Sequence, residues 1–114
     1  MAQMIQRGKE LLRINTQKNI IESSKDGGRS WHNRFTGGFA GSFIDLFDYG
    51  SEILGCTSKG IYVSKDEGHS WHTRCTNNAF GTFIQLASDG RNLLATTSKE
   101  LYCSKDGGRS WHRR

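Results

Sequence analysis

Proline is absent from the chain, cysteine occurs only three times, and no apolar run approaches the roughly 18 residues of a membrane-crossing helix. Three is an odd number, and the cysteines lack CxxC spacing, so neither a disulfide framework nor a zinc site is expected. The opening residues MAQMIQRGKE have no continuous apolar core and no small-residue cleavage site, which argues against a signal peptide. With no export signal, a reducing cytoplasm is the expected compartment, and no membrane partner is expected. Also missing is a helical period: no stretch keeps apolar residues on one helical face for ten or so positions.

What remains is a chain of 114 residues, the size of one domain or a part of one, 34% apolar and with 14 glycines. The formal charge of +5 favours acidic partners by steering and says nothing about the fold. The decisive feature is repetition. SKDGGRSWHNR at 24–34, SKDEGHSWHTR at 64–74 and SKDGGRSWHRR at 104–114 place Trp31, Trp71 and Trp111 at even intervals of 40 residues. The outer two copies agree at 10 of 11 positions, which marks duplication.

The period extends beyond this motif. The segment from Phe43 aligns with the segment from Phe83, and the first copy aligns after two one-residue adjustments. Each copy contains four short runs rich in Ile, Val, Phe, Tyr and Thr, separated by Gly, Asp, Asn and Ser, which is the pattern of strands and turns. In the second copy the strands are A (43–47), B (52–57), C (60–64) and D (70–75). Four strands per 40 residues is the signature of a propeller blade. The expectation is a single all-β repeat domain over 1–114, with blade one at 1–35, blade two at 43–75 and blade three at 83–114.

The repeated residues carry a family resemblance. Ser24, Asp26, Gly28 and Trp31 share the spacing S-x-D-x-G-x-x-W with Ser64, Asp66, Gly68 and Trp71, and with Ser104, Asp106, Gly108 and Trp111. This resembles the Asp-box, or BNR, repeat of sialidases, sortilin-type receptors, some glycosidases and photosystem II assembly-factor propellers. The resemblance implies a β-propeller, and it implies a scaffold more than an activity. Read physically, the Asp accepts hydrogen bonds from turn N–H groups, the Gly supplies a positive φ, and the Trp starts strand D and covers the hairpin. These roles are structural, so the box carboxylates are not expected to be catalytic.

His32, His72 and His112 follow the tryptophans and invite a metal reading. Blade-related positions lie far apart around a ring, however, whereas metal ligands converge within about 2–2.2 Å, so no metal is expected. No other cofactor is expected either. Strand alternation puts these histidines, and the arginines two residues on, opposite Trp, and the histidines read as half-exposed on an outer strand. Cys103 aligns with Val63 and Cys75 with Phe35, so both read as small buried hydrophobes.

Three blades leave two flanks of about 300 Å² each, from strand spacing and rise. Covering one is worth at most about 5–8 kcal/mol. A homodimer of two half-propellers closing into six blades is therefore expected, and six is also the blade number that the sialidase resemblance implies. In propellers the D–A loops and B–C turns share the face where ligands bind. Lysine recurs there as Lys18, Lys59 and Lys99, with Phe39, Phe80, Asn77 and Asn78 on the loops and Asp45 pointing into the channel. Together they would form a platform for a glycan, an anion or a protein. The opposing reading is that these lysines are ordinary turn residues. The basic set on the box face, Lys25, Arg29, Lys65, His69, Lys105 and Arg109, is expected to be solvated.

Two further classes were weighed against a binding module. A glycosidase needs two carboxylates in distinct environments, and a sialidase adds an arginine triad and a tyrosine nucleophile. Outside the boxes only Asp45 reads as channel-facing, and its blade-three counterpart is Gln85. The catalytic set is missing, so the expectation is no enzyme. Nucleic-acid binding rests on positive charge alone, with no reading module visible.

Overall fold

The computed structural model describes residues 4–76 and 80–114. Twelve strands form three four-stranded antiparallel sheets, each a meander of consecutive strands. Blade one comprises β1 (Met4–Arg7), β2 (Glu10–Asn15), β3 (Ile20–Ser24) and β4 (His32–Phe35). Blade two comprises β5 (Phe43–Tyr49), β6 (Glu52–Thr57), β7 (Gly60–Ser64) and β8 (His72–Cys75). Blade three comprises β9 (Phe83–Ser88), β10 (Leu93–Thr97), β11 (Leu101–Ser104) and β12 (His112–Arg113). The all-β reading and the three-blade division hold. Strand D begins one residue after the tryptophan, because each Trp side chain is still bonded to its box, Nε1 donating to the carbonyl of Gly28, Gly68 or Gly108.

Alternation sends successive side chains to opposite faces, so the middle blade is apolar on both. Its front face packs Phe43, Leu46, Ile53, Tyr62 and Trp71 against Leu12, Ile14 and Ile21 of blade one. Its back face packs Leu54, Cys56, Ile61, Val63 and Cys75 against Phe83, Leu86, Leu93 and Trp111 of blade three. The tryptophans of blades two and three each meet their own strand-A phenylalanine, Trp71 with Phe43 at 5.2 Å and Trp111 with Phe83 at 5.5 Å between centroids.

Polar struts cross both seams. The Arg34 guanidinium pairs with Glu10 of its own blade and donates to the Glu67 carbonyl of the next blade at 2.6 Å. Arg74 repeats this, pairing with Glu52 at 2.9 Å and donating to the Gly107 carbonyl at 2.6 Å. Both arginine side chains are buried, at 6% and 5% exposure. The neighbouring blade covers them. The histidines two residues earlier, His32 and His72, are exposed. Arg7 adds a second tie at the first seam, forking onto the Glu67 carboxylate and reaching Asp48 and the Gly50 carbonyl.

Not every flank is bare. Blade one carries Arg13 and Glu22 where blade two has Gly55 and Tyr62. Arg13 pairs with Glu22 at 2.8 Å and lies 3.9 Å over the Trp31 ring. This outer face is therefore covered by its own ion pair and is not the apolar flank expected from the repeat.

The clasp makes a stability prediction. Arg74→Ala leaves the half-buried Glu52 with only the Lys65 ammonium at 3.9 Å and the Gly107 carbonyl without its guanidinium donor. Thermal or denaturant unfolding should show a loss of roughly 2–4 kcal/mol. A loss below about 0.5 kcal/mol, typical of a solvent-exposed pair, would show that the seam does not rely on it.

Candidate functional site

The box is built alike three times. In the first, the Ser24 hydroxyl donates to Asp26 at 2.8 Å and accepts the Gly28 N–H at 2.8 Å. Asp26 also accepts the Ser30 N–H at 2.9 Å and the Ser30 hydroxyl at 2.6 Å. Ser64, Asp66, Gly68 and Ser70 repeat the pattern, as do Ser104, Asp106, Gly108 and Ser110. The box glycines have φ of 97°, 91° and 93°, the left-handed region in which glycine alone avoids strain. Ser30, Ser70 and Ser110 were missed as box members; their identity in all three copies was the available signal.

These bonds explain the acidity of the carboxylates. Hydrogen bonds from Ser30, hydroxyl then backbone, hold Asp26 well below its ordinary value, and Ser110 does the same for Asp106. At Asp66 partial burial opposes the shift, yet the bonds from Ser70 and Ser64 still bring it to about 2. The carboxylates are saturated by the turn, which suits structure and leaves them poorly disposed for proton transfer.

On the opposite face, the D–A loops are latched to the B–C turns. The Ser42 N–H donates to Ser58 Oγ and the Ser58 N–H to the Ser42 carbonyl, both at 2.9 Å, and Thr82 and Ser98 repeat the exchange. Lys59 Nζ donates to the Phe39 carbonyl at 3.1 Å. In blade one, Asn19 reaches across to the Gly41 carbonyl and accepts the Phe43 N–H. A Cβ on Gly41 would stand 2.5 Å from Ser58 Oγ, so this close approach requires glycine.

The predicted platform is thus partly spent on architecture. Lys18, Lys59 and Lys99 are exposed in their turns, but the Lys59 ammonium is a loop latch. Phe39 is 57% exposed, edge-on to Phe35 and Tyr62. Phe80 is half-buried against Tyr102, at 5.0 Å. Asn77 and Asn78 lie outside the described residues. Asp45 does not face a channel: it is fully buried and accepts the Leu86 N–H of blade three at 3.0 Å. Its carboxylate is a strut between blades. Burial, and secondarily the Asp45 charge, pushes the Cys56 thiol far above its usual range, so it stays protonated at neutral pH. The cleft here, lined by Ser58, Lys59, Gly81, Thr82 and Ser98, holds only about 150 Å³.

The larger concavity lies at the seam of blades two and three on the box side. It measures about 530 Å³ and is lined by Val63, Lys65, His72, Thr73, Arg74 and Arg109. Four of these six are basic types and none is acidic. The box-face cations Lys65 and Arg109, expected to be simply solvated, thus line a groove. The sequence signal existed: lysine follows every box serine, and Arg29, His69 and Arg109 occupy one position of the repeat.

Residues 102–113 match the BNR/Asp-box repeat family. The chain carries the BNR/Asp-box repeat. No curated protein matches it by sequence. Among solved structures, YCF48 from Cyanidioschyzon merolae is 20% identical with a TM-score of 0.69, covering 94% of this chain and 38% of that one. YCF48 bound to D1 peptide is 23% identical with a TM-score of 0.68, covering 96% and 37%. An ancestral GH74 enzyme is 15% identical with a TM-score of 0.69, covering 97% and 18%. These likenesses show the fold: three Asp-box blades matching part of a propeller. The chain spans less than two-fifths of the length of each.

Because the Asp-box carboxylates are depressed, their stabilisation is complete above the unfolded value of 3.8 and is lost as pH falls towards about 2. A Ser30/Ser70/Ser110→Ala variant, lacking the hydroxyl donors, should move the acid-unfolding midpoint to higher pH by tryptophan fluorescence. An unchanged midpoint would assign acid stability to other groups.

Proposed function

We propose that this chain is a non-catalytic binding module of the propeller type, and that its ligand is an acidic segment of a protein partner. The observation that carries the reading is the groove of about 530 Å³ lined by Lys65, His72, Arg74 and Arg109, in which Glu52 is the counter-ion of Arg74 and, at 3.9 Å, of Lys65. Its volume falls within the usual range for ligand sites, whereas the cleft on the D–A face does not. The exposed Arg109 guanidinium, its Nη1 donating to the Asp106 carbonyl at 2.9 Å, adds charge at the rim, and Arg74 ties the two blades through the Gly107 carbonyl. A polypeptide ligand also agrees with the peptide carried by one of the YCF48 structures.

A glycosidase reading finds less support. The one acid expected in the channel, Asp45, is buried and engaged by a backbone N–H, and the box carboxylates are saturated by their turns. The half-ring is completed, on this reading, by a second copy of the chain.

A fluorescent deca-glutamate peptide is the first probe. It should bind with an affinity that falls steeply as salt rises, because exposed charges are screened. Lys65→Glu combined with Arg109→Glu should weaken binding about tenfold or more while the melting temperature stays near that of the parent. Binding that survives the double reversal would overturn the site. Steady turnover of an aryl glycoside by purified protein would overturn the non-catalytic reading.

A further inference from the structure

The two internal seams share one clasp, and the terminal blades each carry half of a third. Arg114 is the blade-three counterpart of Arg34 and Arg74, and Gly27 is the blade-one counterpart of Glu67 and Gly107. Arg114 is 45% exposed and is held at 3.2 Å by Asp89, because Asn92 stands where its predecessors have Glu10 and Glu52. Among the described residues, no arginine reaches the Gly27 carbonyl. We propose that blade three of one chain docks on blade one of a second copy, with Arg114 donating to the partner copy's box-one carbonyl, and that two such seams close a ring. This rests on the reading of the chain as a ring-forming binding propeller.

The blade-three back face supports the assignment. Leu101 is 43% exposed, and Leu94 and Cys103 are half-buried, while their blade-two counterparts Ile61, Leu54 and Val63 lie at 0%, 0% and 4%. The receiving face on blade one presents Met4, 54% exposed, and the Arg13 guanidinium stacked on Trp31. A guanidinium plane is weakly hydrated, and Arg13 is already neutralised by Glu22, so aliphatic side chains can cover it without stranding a charge. This seam differs from the internal ones, and the difference favours a separable contact. Two seams would bury about 1,200 Å² in total, the lower end of specific interfaces. Dimerisation in the micromolar range is the expectation.

Closure would also complete a binding groove. Cys103, Lys105, His112 and Arg114 correspond to Val63, Lys65, His72 and Arg74, and Arg29 of the second copy would stand where Arg109 stands in the internal groove. The third groove therefore needs both chains.

The test is native mass by light scattering across a dilution series, with no ligand present, so that failure of the acidic-segment reading leaves its result intact. The expected result is a reversible change from 12.8 kDa to twice that mass. Arg114→Glu, at an exposed position, should weaken the dimer about tenfold or more without altering the far-ultraviolet circular dichroism. Leu101→Asp should do the same, and if it fails to fold the Arg114 variant carries the test. A monomer at about 100 μM, a ladder of masses beyond two chains, or a dimer indifferent to Arg114→Glu would each overturn the proposal.

Discussion

One arginine per seam links the local turns to the overall architecture. A blade has no closed core of its own; its faces become an interior only when a neighbour arrives at a fixed angle. Apolar packing supplies most of the driving force, but leucines and isoleucines meeting across a sheet interface are tolerant of sliding. The clasp is not. Arg34 and Arg74 are anchored by a glutamate behind and aimed at a single carbonyl ahead, so rotation or translation of the next blade breaks the charge-assisted bond that crosses the seam.

The box acquires a second meaning in that light. Its Ser, Asp and Gly bonds fold a hairpin, and they also hold the carbonyl at position 67 or 107 facing the preceding blade. The residue that bears this carbonyl has a positive φ in all three copies: Gly27 at 77°, Glu67 at 62° and Gly107 at 76°. A glutamate there is strained by about 1 kcal/mol or more. It is offset by the forked contact from Arg7 to its carboxylate, a contact the second seam lacks. At that seam Tyr49 occupies the place of Arg7 and lies against Gly107, so a ring replaces an ion pair. Duplicated repeats have thus drifted to different solutions of one geometric problem.

The sequence made the strands legible wherever turn chemistry bounded them on both sides. In blade two, β6 and β7 fall at the expected residues because Gly50, Ser58 and Lys59 leave no alternative. Strand D was read too early because Ser70 and Trp71 are spent on the box, Ser70 on the Asp66 carboxylate and Trp71 on the Gly68 carbonyl. What sequence spacing could not reveal is contact between repeats. Arg74 and Gly107 are 33 residues apart, and Asp45 and Leu86 are 41 apart. Each residue is ordinary in its own repeat, and its role exists only once two blades are placed side by side. The buried fate of Asp45, and the groove around Arg74, were hidden for this same reason.

The candidate site follows from the same constraint. Where the faces of blades two and three meet, the clasp arginine lies in the seam and Lys65 and Arg109 flank it. At that seam the arrangement leaves a groove of about 530 Å³. The rim position carries His69 in the first seam and Arg109 in the second, so seams alike in backbone differ in the side chain at their rim. On the proposed reading, an acidic segment would meet the seam of blades two and three, because that is where Lys65 and Arg109 line a groove.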